Sequence, residues 1–246
     1  MRWVLGLAVG LSLSGMAVRP ASAQSTIFNI PTTDTVAPGK GYFEFDDLGQ
    51  MPGPDGGGRF QIFAPRFVIG LGPKAEAGVN VFNTHFGDGG GTFSSFQPNI
   101  KYKYYADDDK GLAAAAGLIM YVPINHRDVG TTFGLVYANF SKKVKNGDYG
   151  PRFTFGPYGI LGGGDSFYGP KGGVIAGYEQ PVSKTVSVVA DWFSGKNGFG
   201  YLTPGISITL PRSGLLNIGY SIGNDSFQDP PNHNRALFVY YGITFP

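Results

Sequence analysis

Cysteine is absent from all 246 residues. That excludes a disulfide scaffold, a thiolate metal site and a thiol nucleophile. Charge is scarce as well: only 15% of residues are Asp, Glu, Lys or Arg, and the net charge of +2 is carried by Arg2 and Arg19 in a leading segment without acids. With those two arginines set aside, acids and bases are equal in number, and no basic run stands out. A nucleic-acid or polyanion partner is therefore not implied. Beyond residue 23 no apolar run approaches the roughly 18 residues of a membrane helix, so any membrane crossing must be made by strands. Histidine is limited to His85, His126 and His233, without the i, i+4 helical spacing of a zinc protease. No metal and no cofactor are expected.

What the chain does contain is turn and strand material. Forty glycines, eighteen prolines and 15% aromatic residues describe neither a helical protein nor a disordered one. At the front, Arg2 gives a positive n-region, Val4 to Leu13 an apolar h-region, and Ala21-Ser22-Ala23 a small-x-small cleavage site. Residues 1–23 read as an export signal, so the mature chain is expected to begin at Gln24. Residues 24–38 look like an irregular periplasmic leader, and residues 39–246 carry the fold.

Within that span about twelve segments alternate or are densely β-forming: 41–46, 60–71, 76–84, 96–105, 112–122, 133–142, 152–161, 172–180, 185–193, 201–210, 215–224 and 235–245. The last is the clearest. Leu237, Val239, Tyr241, Ile243 and Phe245 alternate with Ala236, Phe238, Tyr240, Gly242 and Thr244, followed only by Pro246. It resembles the closing strand of bacterial outer-membrane β-barrels, whose aromatic end is read by the barrel-insertion machinery. Connections support the same class. Long stretches (50–58, 87–95, 125–132, 162–170, 225–234) alternate with short ones (72–74, 107–111, 146–150, 182–184, 211–214), with 195–200 intermediate in a long position, as in antiparallel barrels with short periplasmic turns and long external loops. The expected fold is all-β: a transmembrane antiparallel up-and-down β-barrel of about twelve strands.

Each strand then has two faces. Leu202, Pro204, Ile206, Ile208 and Leu210 oppose Tyr201, Thr203, Gly205, Ser207 and Thr209, and Leu216, Ile218, Tyr220 and Ile222 oppose Asn217, Gly219, Ser221 and Gly223. With the apolar face toward outer-membrane lipid, the lumen inherits Glu44, Asp46, Arg66, Glu76, Lys101, Lys103, Arg152, Glu179 and Asp191, together with Asn80, Asn99, Asn139 and Asn217. Such a set either lines an aqueous constriction or pairs across the lumen and plugs it. Pro65, Pro98, Pro157 and Pro204 fall inside proposed strands, where proline removes a ladder donor, and so count against them; bulges are expected to absorb some.

Catalytic signatures are thin. Gly70-Leu71-Gly72-Pro73-Lys74-Ala75 matches G-x-G-x-x-A, but Pro73 and the alternation of Ala77, Val79 and Val81 deny it the helix that dinucleotide binding needs. The glycines at 162–164 lack the Lys-Ser/Thr ending of a phosphate loop. Asp107-Asp108-Asp109-Lys110-Gly111 reads as a solvated turn before it reads as a calcium site. Asn125-His126-Arg127-Asp128 and the many serines leave a lipid-modifying hydrolase conceivable, yet no signature selects one serine. An enzyme is not expected.

Residues Phe28-Asn29-Ile30-Pro31 and Lys40-Gly41-Tyr42-Phe43-Glu44 look similar to small porin-like transporters, including those grouped with phenol-degradation pathways. That resemblance implies a channel or uptake role for a small solute and no individual residue. The strand faces, not the resemblance, make Glu44, Arg66, Glu76, Lys101, Lys103, Arg152, Glu179 and Asp191 the expected pore-lining residues. A non-conducting structural or adhesion barrel and a soluble periplasmic β-protein are the alternatives. Oligomeric state is not legible.

Overall fold

A computed structural model describes residues 25–50, 60–87, 90–127, 130–144, 149–164, 169–225 and 235–246. The export signal and residue 24 lie outside these residues, as do nearly all of the 50–58 loop, Asp128 and His233. Twelve strands run in chain order: β1 (Gly41–Gln50), β2 (Phe60–Gly70), β3 (Ala75–Phe86), β4 (Gly91–Asp107), β5 (Leu112–Pro123), β6 (Phe133–Lys143), β7 (Arg152–Gly162), β8 (Gly172–Pro181), β9 (Val186–Phe193), β10 (Tyr201–Leu210), β11 (Gly214–Gly223) and β12 (Arg235–Phe245). Each pairs antiparallel with its chain neighbour, and β1 pairs with β12 from Gly41↔Phe245 to Gln50↔Ala236. The sheet therefore closes into an up-and-down barrel of the expected class, leaving no free edge.

The pleat sorts side chains as the period of two dictates. On β12, Ala236, Phe238 and Tyr240 are buried inside, while Leu237 and Tyr241 are exposed outside. On β9, Val189, Asp191 and Phe193 point inward and are buried. The outer wall exposes Phe43, Phe45, Phe67, Ile69, Phe96, Ile100, Tyr102, Phe153, Phe155, Leu202 and Ile206. An apolar surface so continuous is suited to lipid rather than to water.

Two expectations need correction. Residues 91–95, read as loop, form the start of β4 and pair with β3 up to Phe86↔Gly91. Likewise β1 runs on to Gln50. At these strand ends the outward residues Asp47, His85, Thr92 and Ser94 are polar, so the apolar period that marks a strand elsewhere stops before the ladder does. The four strand prolines are accommodated without breaking the barrel. Each keeps its partner on one side (Pro65↔Phe45, Pro98↔Val79, Pro157↔Val174, Pro204↔Ala190). On the other side the register skips the proline and the residue before it.

The leader departs furthest from expectation. Residues 25–38 do not extend away from the barrel but run inside it, where Ile27, Phe28 and Ile30 are 0% exposed and form the core with Leu135, Ile175, Val189, Phe193, Phe238 and Tyr240. Burying each of these three side chains favours the packed state by roughly 1.5–3 kcal/mol. Val36 makes a second, smaller cluster with Tyr42 and Val68 near the start of β1.

Candidate functional site

The inner wall is polar in a sequence-defined way, and residues 25–38 are shaped to it. Starting from Ser25, the segment circles the lumen and is hydrogen-bonded or paired to eight strands, β10 among them through Asn29 Nδ2, which donates to Thr203 Oγ1 at 3.1 Å. Ser25 donates its hydroxyl to Glu76 of β3 and accepts from Lys101 Nζ of β4, at its hydroxyl (2.9 Å) and its carbonyl (3.0 Å). Ile27 O accepts from Tyr240 OH on β12 (2.6 Å) and from Asn217 Nδ2 on β11 (3.1 Å). The backbone N–H groups of Phe28, Asn29 and Ile30 all converge on one oxygen of Asp191 on β9, at 3.0, 2.5 and 2.9 Å. Pro31 O accepts from Asn139 of β6, and Thr33 Oγ1 lies 2.6 Å from Ser141 Oγ on the same strand. Asp34 pairs with Arg152 of β7, and Val36 N donates to Glu76 Oε2 at 2.7 Å. An irregular chain can be buried only when its backbone groups find such partners.

Glycines complete the seat. A Cβ on Gly219 or on Gly205 would stand 2.6 Å from Phe28 Cζ, and one on Gly177 would stand 2.6 Å from Ile27 Cδ1 and 2.7 Å from Ile30 Cδ1. The ring of Phe28 and the two isoleucines occupy the volume that side chains would otherwise take. Phe28 also packs against Phe238 and Tyr240 with ring centroids 5.5 and 6.1 Å apart.

The eight residues singled out from the sequence all lie on the inner wall, and the structure gathers seven of them into three groups. Arg66 bridges Asp46 (2.7 Å) and Glu44 (3.5 Å), while Tyr42 donates to Glu44 at 2.6 Å. Lys101 pairs with Glu76 at 2.9 Å. Arg152 grips Glu179 with two nitrogens at 2.5 and 2.8 Å and reaches Asp34 with a third, and Lys103 stands 3.9 Å from Asp34. Asp191 stands apart as the acceptor for the segment. Sequence reasoning missed residues 25–38 as the other half of this site. The usable signal was the apolar pair Ile27-Phe28 with Ile30 and Pro31 in an otherwise polar leader.

Burial acts to push the Asp34 carboxyl up, but Arg152, with Lys103 and Lys101 behind it, outweighs that and holds it below the ordinary value of 3.8. Because its titration is depressed in the seated state, the contribution of Asp34 is present above the ordinary value and is lost as pH falls through the lowered one. Segment seating is thus expected to weaken at pH below about 3.8. The Asp34→Asn variant should seat more weakly at neutral pH and lose that share of the acid response, measured as amide exchange of residues 27–36 against pH.

Three cavities follow from this arrangement. At the long-loop end a cavity of about 510 Å3 is lined by Leu48, Ile62, Phe82, Phe93, Tyr121, Phe133 and Phe199, with Arg66, Gln97 and Asn29 at its floor. Tyr121 stacks on Phe133 at 4.5 Å and 10°, and Phe199 meets Tyr121 edge-on at 5.4 Å. At the short-turn end a cavity of about 600 Å3 is bordered by Thr33, Asp34, Ser141, Lys143 and Arg152. A third, small cavity of about 40 Å3 lies among Ser25, Glu44, Arg66, Glu76 and Lys101.

The other sequence candidates have local roles. Asn125 caps the start of β4, accepting from Ser94 N (2.7 Å) and donating to Thr92 O (2.8 Å). Asp107 accepts from Lys110 N at 2.9 Å and pairs with its ammonium at 3.0 Å, closing a turn. On the outer wall His85 Nδ1 lies 2.9 Å from Thr92 Oγ1, whereas Ser94 donates to Asn83 at 2.9 Å.

No protein-family model and no curated protein matches the sequence. The closer resemblance of residues 28–44 to phenol-pathway transporters therefore has no support beyond the fold. Solved structures do match. An outer membrane channel from Pseudomonas putida F1 is similar at 13% identity over 89% of this chain and 98% of the other, with a TM-score of 0.51. Outer membrane phospholipase A from Escherichia coli is similar at 11% identity over 84% of this chain and 92% of the other, with a TM-score of 0.48. The structural likeness to the channel extends to the fold alone: the closed twelve-strand antiparallel barrel has the architecture of an outer-membrane β-barrel.

Proposed function

We propose that the protein is a passive outer-membrane channel for small apolar, ring-bearing solutes, closed in this state by its own residues 25–38. The observation that carries the reading is the segment's position between two cavities of about 510 and 600 Å3, where Ile27, Phe28 and Ile30 fill the centre of the lumen. A structural barrel has no need for a wide mouth at each end, and a lumen filled for stability alone is not expected to leave an aromatic cavity on top. The upper cavity matches the size and mixed lining of small-molecule sites, apolar walls with a few polar groups at the floor. Arg66 at that floor is already neutralised by Asp46 and Glu44, which favours neutral solutes over anions. The outward apolar wall and the signal-like N-terminal pattern support an outer-membrane location, with lipid and the insertion machinery as partners.

The solute class is tested with 1-naphthol, whose own fluorescence reports burial. Binding to the folded barrel in detergent is expected, and Phe133→Ala with Phe199→Ala should weaken it by about tenfold, equivalent to ~1.4 kcal/mol. Unchanged binding in the double variant would remove the cavity from the reading. A second reading, a hydrolase acting on lipid, has the Thr92–His85 pair on the outer wall in its favour. Release of fatty acid from phospholipid vesicles by the wild type, abolished in His85→Ala, would establish it in place of the channel.

A further inference from the structure

The rim at the short-turn end is charged unevenly. On the half running from β8 through β12 and β1 to β3, each connection carries one cation: Lys184 between β8 and β9, Arg212 between β10 and β11, Lys40 just before β1, and Lys74 between β2 and β3. All four are exposed, and residues 37–41, 70–75, 181–186 and 210–214 contain no Asp or Glu. None of the four side chains makes an ion pair or a hydrogen bond among the described residues. On the other half the charges are answered locally. Asp107 pairs with Lys110 at 3.0 Å beside Asp108 and Asp109, Lys142 donates to Lys110 O at 2.5 Å, and Lys143 borders the lumen cavity with Arg152.

The four free cations lie just past the edge of the apolar wall. Leu71, near Lys74, and Val182, near Lys184, are exposed on it, as are Phe43, Phe67, Ile69 and Tyr241. The Phe245 ring covers Gly41, where a Cβ would stand 2.5 Å from it, and its centroid is 6.1 Å from that of Phe67. The Tyr241 hydroxyl reaches the β10–β11 turn, 3.4 Å from where a Cβ on Gly214 would be. Outward rings that end in a hydroxyl at the turns mark the boundary between hydrocarbon and headgroups. Lys40 and Arg212 stand immediately beyond that boundary. Arg212 and Ser213 have φ of 59° and 61° in a turn closed by Gly214 N donating to Pro211 O at 3.3 Å. Asn and Gly are the usual occupants of such left-handed positions, so this tip holds a cation against backbone preference.

We infer that this half-rim is a docking surface for the headgroups of anionic phospholipids in the leaflet that faces the short turns. Charge complementarity selects the occupant. A phospholipid offers its negative phosphate at the depth of the four cations while its acyl chains lie along the apolar wall beside them. A Lys or Arg at such a surface contributes about fivefold to attraction by an anionic membrane. The side of Asp107, Asp108 and Asp109 has no such excess, so anionic lipid gathers on one side of the barrel only. The inference concerns the outer wall and holds whether or not the barrel conducts.

The test uses the purified barrel in uncharged detergent, mixed with phosphatidylglycerol or with phosphatidylcholine of the same acyl chains, and counts bound lipid by native mass spectrometry. Wild type is expected to retain phosphatidylglycerol at least about tenfold more strongly. Lys40→Gln with Lys74→Gln, and Lys184→Gln with Arg212→Gln, should each lower that preference severalfold. All four changes together should bring it near parity while heat-modifiable migration stays that of wild type. Lys110→Gln with Lys142→Gln should leave the preference unchanged. Every substituted side chain is exposed, and if one pair of changes prevented folding the other would still decide. Equal retention of the two lipids by the wild type would overturn the proposal. So would a preference that survives in the quadruple variant, or one that the Lys110 and Lys142 changes lower as much.

Discussion

Deletion of residues 25–37 is expected to turn a barrel with little or no conductance in planar bilayers into one with discrete steps. The segment contributes no strand, so the ladders from β1 to β12 remain intact, and heat-modifiable migration should show a folded barrel. Its removal takes away Ile27, Phe28 and Ile30, which fill the centre, and leaves an interior of twelve strands. That width falls between eight-stranded barrels with side-chain-filled interiors and sixteen-stranded porins with open channels. The exposed wall then carries Glu44, Asp46, Glu76, Glu179 and Asp191 against Arg66, Lys101, Lys103 and Arg152, near balance, so weak selectivity is expected. In that deleted background Lys101→Glu with Lys103→Glu should shift selectivity strongly toward cations. In the full-length chain the same pair of changes is expected to act first on seating, since Lys101 holds Ser25 and Lys103 faces Asp34.

Because the sequence contains no cysteine, the complementary experiment is clean. Thr33 Oγ1 and Ser141 Oγ lie 2.6 Å apart, so Thr33→Cys with Ser141→Cys places two thiols to tie the segment to β6. Oxidised, the pair should suppress whatever openings the wild type shows, and reduction should restore them. A deletion variant that folds and stays silent would dismiss the gate and return the barrel to a structural role.

Most of the wall was legible in the sequence because a strand facing lipid on one side and a lumen on the other writes its period of two directly into the chain. The bounds of Tyr201–Leu210 and Arg235–Phe245 are the sequence-derived ones to the residue. The inward placement of Asp191 and Asn217 follows from the same alternation. What was not legible has physical causes. At the start of β4 the outward residues Thr92 and Ser94 are polar, so a ladder continues where the hydrophobic signal has ended. Residues 25–38 have no period at all, because their polar partners come from β3, β4, β6, β7, β9, β10, β11 and β12. A chain that circles a lumen meets its neighbours in an order set by closure of the barrel, not by local spacing. The inner-wall charges were therefore found as residues before their shared partner was known.

Asp191 is where that difference has the largest consequence. Read as one acid among several in a pore, it should tune selectivity when changed. As the structure places it, it is an almost fully buried acceptor for three consecutive backbone N–H groups, and its loss leaves all three donors buried without a partner. A hydrogen bond to a charged group contributes about 1.5–3 kcal/mol, and an orphaned buried donor costs a similar amount. Even with partial rearrangement, Asp191→Ala is expected to lower the free energy of segment opening by roughly 4 kcal/mol, about a thousandfold in the opening equilibrium. The measurement is hydrogen exchange at the amides of residues 28–30, which should lose protection in Asp191→Ala while strand amides elsewhere in the barrel keep theirs. Asp191→Asn separates charge from geometry: its carbonyl oxygen still accepts, so protection should fall between wild type and alanine. Conductance should follow the same order, most frequent openings in alanine, then asparagine, then wild type. A change in ion selectivity with exchange untouched would instead make Asp191 a pore residue, with the segment held by its other partners, Glu76, Lys101, Asn139, Arg152, Asn217 and Tyr240 among them.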